Sequence, residues 1–96
     1  MILTPKAKEY GKRMQVISHM YLNKNAKLFK NTQWEEQDVK MIFDDARNLY
    51  LIGLYMIQGD FDAAIAVANE MDTLVRDEIP NSVYNYLEKF TINQED

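Results

Sequence analysis

The sequence contains no cysteine, which excludes disulfide bridges, thiolate metal sites and a cysteine nucleophile together. It has a single histidine, His19, and no acidic residue lies within one helical turn of it. The three glycines are scattered at positions 11, 53 and 59, so no glycine-rich phosphate loop is present. The Glu-x-x-His pairs of helical di-metal proteins are also missing. These absences predict a protein that is not an enzyme and has no metal, no other cofactor and no small-molecule substrate.

Long apolar runs are missing as well. The longest stretch without a charged or strongly polar residue, Leu49 to Ile57, has nine residues, about half the length of a membrane span. The first residues contain no apolar signal core. With 96 residues, of which 47% are hydrophobic, the chain is large enough for one modest core. We therefore expect a single soluble domain, residues 1–96, in the cytoplasm and away from membranes.

Charge is distributed unevenly along the chain. Residues 1–30 carry a net charge of +6, whereas residues 31–96 carry a net charge of −10. The basic residues of the first segment are Lys6, Lys8, Lys12, Arg13, Lys24, Lys27 and Lys30. They predict either a surface for nucleic acid or another polyanion, or a basic helix that packs beside acidic neighbours in this chain or in a partner. We favour the second interpretation, because few side chains of the segment suit contacts with base edges.

Apolar spacing and helix-start signals predict four helices. Thr4-Pro5 is typical of a helix start, and a stripe of Tyr10, Met14 and Ile17 predicts a helix over residues 5–22. Gly11 lies inside it, where it could allow a close helix crossing. Thr32-Gln-Trp-Glu35 has the pattern of a capping box and predicts a second helix over residues 33–58.

The stretch Met56 to Ala66 predicts a helical hairpin with a tight turn at Gly59 and a second helix capped by Asp60. We expect the third helix to run over residues 61–78 and the last over 81–91, with residues 92–96 frayed. No alternating strand pattern occurs. The predicted fold is therefore all-α, a compact antiparallel bundle of three long helices plus a short C-terminal helix.

The second predicted helix has more apolar surface than one face requires. We place Phe43 and Leu49 among its core-facing residues, and from Leu49 onward apolar side chains lie on all sides. A helix that is apolar all round is normally buried, and a chain of this size has little protein to surround it. We predict that a protein partner, which can be a second copy in a homodimer, covers it. The expected interface residues are Leu51, Leu54, Tyr55 and Trp34.

The segment around the same hairpin resembles a single tetratricopeptide repeat. Leu51, Tyr55, Gly59-Asp60-Phe61 and Ala64 match the residues of that repeat, although Ile52 replaces its glycine. The similarity covers residues 50–66, less than a third of the chain, and one repeat does not form a stable array. The resemblance implies a protein-binding role.

The segment Val83-Tyr-Asn-Tyr-Leu-Glu-Lys-Phe-Thr91 resembles the C-terminal segment of the small helical anti-sigma protein of large tailed phages. This second resemblance implies an inhibitor of a host protein such as the transcription machinery, and it assigns no binding residue. The sequence as a whole thus favours a small adaptor or regulator that acts by stoichiometric protein contact. Polyanion binding and phage-type inhibition are the alternatives.

Overall fold

A computed structural model describes residues 5–27 and 35–95. Within these ranges the chain is helical and contains no strand, which confirms the all-α class. In chain order the helices are α1 (Pro5–Ala26), α2 (Glu36–Gln58), α3 (Phe61–Glu70), α4 (Thr73–Arg76) and α5 (Asn81–Glu95). None of these helices has both the length and the hydrophobicity needed to cross a membrane.

The first two helices differ from the prediction at their ends. α1 continues to Ala26, because Asn25 donates a side-chain hydrogen bond of 2.8 Å to the Tyr21 carbonyl and does not interrupt the helix. α2 begins at Glu36, and Glu35 precedes it as the N-cap residue without a side-chain capping bond. Thr32 of the predicted capping box lies outside the described residues.

The predicted third helix, residues 61–78, is divided into α3 and α4. Met71 ends α3 in an extended conformation, with φ −75° and ψ 151°. Asp72 then caps α4 by accepting a 3.1 Å hydrogen bond from the backbone N–H of Leu74. Aspartate side chains compete in this way with regular helix hydrogen bonds, so the helix restarts. The C-terminal helix is longer than expected, with 15 residues that reach Glu95.

The turn between α2 and α3 matches the sequence prediction. Gly59 has a φ of 82°, in the left-handed region that glycine adopts at little cost. Its N–H and that of Asp60 return to the Met56 and Tyr55 carbonyls. The Asp60 carboxylate accepts a 3.2 Å hydrogen bond from the N–H of Ala63 and caps α3.

The helices form two layers in a molecule of 50 × 22 × 19 Å. One layer is the antiparallel hairpin of α1 and α2, and α3, α4 and α5 lie across one side of it. Phe61 of α3 stacks on Phe90 of α5 at 4.5 Å between ring centroids, and Tyr86 contacts Tyr10 of α1 edge-on at 5.3 Å. The first contact joins α3 to α5 within the second layer, and the second contact joins that layer to the hairpin.

The hairpin helices cross at two glycines. A Cβ atom on Gly53 would lie only 2.4 Å from the Gly11 carbonyl oxygen, and one on Gly11 would lie 2.6 Å from the Gly53 carbonyl oxygen. The two backbones are therefore in direct contact, which only glycine permits. This confirms the close crossing predicted at Gly11 and identifies Gly53 as its partner.

Candidate protein-binding surface

Among the described residues, no helix covers one side of the α1–α2 hairpin. Ile52 and Met56 of α2 are fully buried and mark the side of α2 that faces the core. Rotation around the helix by about 100° per residue places Phe43, Tyr50 and Leu54 on a different side. Phe43 is 53% exposed and Tyr50 39% exposed, while Leu54 is half-buried. Their spacings of seven and four residues form a continuous stripe along α2.

Helix α1 contributes a polar ridge beside this stripe. The His19 ring meets the Tyr50 ring edge-on at 6.2 Å between centroids, which shows that the two side chains share one side of the hairpin. Lys12 and Lys8 lie about two and three turns from His19 along the same ridge and are exposed. Arg47 is exposed on α2, between Phe43 and Tyr50. We name this surface the open face: Lys8, Lys12, His19, Phe43, Arg47, Tyr50 and Leu54.

The predicted interface residues on α2 do not all lie on the same side of the helix. Leu51, Leu54 and Tyr55 are all half-buried, and Tyr55 packs against the core. Leu54 belongs to the open face, whereas Leu51 and Tyr55 turn toward other sides of α2. Trp34 lies outside the described residues. The apolar stretch of α2 is therefore largely covered, because α1 and the second layer pack against two of its sides.

The sequence prediction missed the most exposed aromatic side chain among the described residues. It assigned Phe43 to the core-facing side of α2, but Phe43 lies at the edge of that apolar arc and more than half of it is exposed. Its helical position, about 120° from the fully buried Leu49, is a signal that could have identified it. Val16, Met20, Met41 and Leu74 are also exposed, and of these Val16 lies within one turn of Lys12 and His19 on α1.

The basic residues of α1 surround its solvent-facing half. The described members Lys6, Lys8, Lys12, Arg13, Lys24 and Lys27 are all exposed, and Lys30 lies outside the described residues. Lys24 forms a 2.8 Å ion pair with Glu78, which joins the end of α1 to the segment before α5. The expectation that acidic neighbours of this chain pair with the basic helix thus holds for Lys24. Lys8 and Lys12 belong to the open face instead.

A half-buried polar pair joins α1 to α2 on the covered side. The Tyr21 hydroxyl donates to the Asp45 carboxylate at 3.4 Å. Burial, reinforced by the nearby Asp45 charge, raises the pKa of Tyr21 to about 12. Burial also raises the pKa of Asp45, and the bond from Tyr21 only partly opposes this. Within the described ranges, no three histidine, cysteine or acidic side chains come together to hold a metal ion. The Tyr21–Asp45 hydrogen bond links α1 to α2.

Comparisons with known proteins add no relative: no protein-family model, curated protein or solved structure matches this chain. The tetratricopeptide-like and anti-sigma-like resemblances remain predictions from the sequence.

Proposed function

We propose that the protein is a small non-catalytic adaptor or regulator that binds a protein partner stoichiometrically through the open face. The observation that carries the proposal is the pair of exposed aromatic rings, Phe43 at 53% and Tyr50 at 39% exposure, on one stripe of α2. The hairpin gives this stripe a rigid base, because fully buried Leu49, Ile52 and Met56 anchor the opposite side of the same helix.

Aromatic side chains in this position suit protein recognition. A Phe or Tyr side chain can bury about 150–250 Å², and aromatic residues that anchor an interface commonly contribute about 2 kcal/mol or more each. Phe43 and Tyr50 are one heptad apart, so one partner helix or ridge can contact both. Leu54 extends the same stripe by one turn.

Site-directed photo-crosslinking tests this proposal. A photoreactive phenylalanine analogue replaces Phe43 or Tyr50, and matched controls carry it at exposed Asn85 or Asp62 in the other layer. In an extract of the cells that naturally contain the protein, we expect a discrete protein adduct from positions 43 and 50 and none from 85 or 62. An equal yield from all four positions, or no adduct at 43 and 50, would refute the proposal.

Self-association is one form of this binding, and it can be tested with the purified protein alone. Suppose that two copies bind each other through the open face. Light scattering at micromolar concentration would then give twice the monomer mass, and Leu54→Glu would restore the monomer without loss of stability. A strict monomer across this range would remove the homodimer and leave binding to a different protein.

Polyanion binding is the second candidate, and the exposure of Lys8, Lys12 and Lys27 supports it. If these three residues contact phosphates of duplex DNA, the logarithm of affinity should fall with the logarithm of salt concentration with a slope of about −3. The Lys8→Glu/Lys12→Glu variant should then lose most of the binding. The absence of measurable binding to DNA or RNA at low salt would dismiss this candidate.

A further inference from the structure

We infer that the segment that docks on the open face is an acidic amphipathic helix from a different protein. The inference rests on the proposed function, because it specifies the partner of the same surface. Two observations lead to it: the spacing of the apolar stripe, and the sign of the charges beside that stripe.

The apolar stripe has the dimensions of a helix-binding ridge. Phe43, Tyr50 and Leu54 span eleven residue steps of α2, which corresponds to about 16 Å along the helix axis. Their spacings of seven and four residues are those with which one helix contacts another along its length. A partner helix of about three turns, with apolar residues at positions i, i+4 and i+7, therefore matches the stripe.

The charges on the open face select the composition of that helix. Lys8 and Lys12 border the stripe on the α1 side, and Arg47 stands within it on α2, all three exposed. Arg47 has only a long contact of 4.0 Å with Asp44, so its guanidinium remains available. On the same side of α2, the acidic residues are Asp44, which makes this contact with Arg47, and Glu36 at the start of the helix, while exposed Lys40 adds a further positive charge. Carboxylates that flank the apolar residues of a partner helix would complement this arrangement.

A second copy of the chain fits this face less well. In a two-fold symmetric pair the open face would contact itself, and Lys12 and Arg47 of one copy would approach the same cationic groups of the other. Acidic side chains that could complement them, such as Asp62, Glu70 and Asp72, are exposed on the other layer of the fold. Like charges at an interface cost affinity, so charge favours a partner with a different sequence.

Nucleic acid also fits the open face less well, because the apolar side chains of the stripe cannot bind a phosphate backbone. Phe43 and Leu54 have no polar side-chain group, so they offer no hydrogen bond to a phosphate. Single-stranded nucleic acids need a groove that follows the backbone with positive charge as well as stacking rings. An acidic helix would use both the apolar stripe and the cations.

Three synthetic peptides test the inference on the intact protein. Each is an 18-residue helix former with the same leucine stripe at i, i+4 and i+7, and its flanking positions carry glutamate, glutamine or lysine. We expect the glutamate peptide to bind at least about tenfold more tightly than the glutamine peptide in fluorescence anisotropy, and the lysine peptide to bind most weakly. Added salt should reduce the preference.

Charge reversal on the protein provides the matched control. The Lys12→Glu/Arg47→Glu variant should lose at least about tenfold in affinity for the glutamate peptide and gain affinity for the lysine peptide. Lys89→Glu, at an exposed position of α5, should change neither affinity. Circular dichroism of each variant establishes that it is folded before binding is measured.

Several results would overturn the inference. Equal affinity for the three peptides, or no binding by any of them at 1 mM (a concentration that still detects affinities of about −4 kcal/mol), would exclude an acidic helix. Tighter binding of duplex DNA or RNA than of the glutamate peptide would identify a nucleic acid as the ligand. A dimer that the Phe43→Glu substitution dissociates would identify a second copy of the chain as the ligand.

Photo-crosslinking at Phe43 distinguishes this inference from the proposed function. A protein adduct without peptide binding would support the protein-binding function and refute the acidic helix as its partner.

Discussion

Replacing Gly53 by alanine should destabilise the protein, although the same change stabilises most helices. Within a helix, alanine is favoured over glycine by about 1 kcal/mol. Here the new methyl carbon would lie 2.4 Å from the Gly11 carbonyl oxygen and 3.0 Å from the Met14 Cβ. Normal contacts begin near 3.4 Å, so α1 and α2 must separate by about 1 Å at the crossing.

The obstructing atom determines the size of the effect. A side chain could rotate away, but the Gly11 carbonyl belongs to the backbone of α1, and displacing it loosens the packing of fully buried Met14. Overpacking of this kind costs about 1–3 kcal/mol, and a rigid backbone contact lies at the upper end of that range. After the helix-propensity gain of about 1 kcal/mol, we expect a net loss of about 2 kcal/mol.

Thermal unfolding followed by circular dichroism at 222 nm measures this loss. For a domain of this size, a loss of about 2 kcal/mol lowers the midpoint by about 8–16 °C. Ala66→Gly, at an exposed position of α3, serves as the control, because it reports helix propensity alone and should cost about 1 kcal/mol. A Gly53→Ala midpoint equal to or above that of the wild type would show that the helices do not touch at this crossing.

Three further predictions follow from particular contacts. Phe61→Ala removes a buried ring that stacks on Phe90 at 4.5 Å, so chemical denaturation should show a loss of about 3–5 kcal/mol, whereas Phe61→Leu should lose less. Asp60→Ala removes the acceptor for the Ala63 N–H and should cost about 1 kcal/mol in the same assay, whereas Asp60→Asn should retain most of the stability. Burial raises the pKa of the Asp45 carboxyl group. The folded chain therefore holds the carboxyl proton more tightly than the unfolded chain does. As a result, stability is lost as the pH rises through the folded-state pKa. The Asp45→Asn variant should therefore gain stability relative to wild type between pH 3 and pH 7 in thermal melts, and a constant difference would contradict the assigned burial.

Local signals were sufficient to predict the helical class and the α2–α3 hairpin. The turn depends on a left-handed Gly59 and on Asp60 as a cap, and each acts within a few residues of its own position. The stripe of Tyr10, Met14 and Ile17 similarly reports one face of one helix. Such features can be read from sequence because their energetic causes are close in the chain.

The break at Met71 could not be predicted in the same way. Apolar residues continue at helical spacing through Ala68, Met71 and Val75, all of them buried, so periodicity alone predicts an uninterrupted helix. The structure keeps these contacts while the chain changes direction, because a turn capped by Asp72 preserves the inward position of each apolar side chain. Hydrophobic periodicity reports burial, and it does not report whether the helix is continuous.

The candidate site was only partly predictable for a related reason. The sequence identified α2 as having an excess of apolar surface, and Leu54 does lie on the open face. Which edge of the apolar arc stays exposed depends on where α1 and the second layer pack, and that arrangement involves residues far apart in the chain. Phe43 was therefore assigned to the core although 53% of it is exposed.

The glycine crossing connects the stability of the fold to the geometry of the open face. Direct backbone contact between Gly11 and Gly53 fixes how far α1 lies from α2, and His19 is two helical turns from this point, beside Tyr50. A wider crossing would therefore move the polar ridge of α1 (Lys8, Lys12 and His19) away from the apolar stripe of α2 (Phe43, Tyr50 and Leu54). The contact that resists an added methyl group at Gly53 is thus also the contact that keeps the cationic and apolar parts of the open face close together, as binding of the proposed partner helix requires.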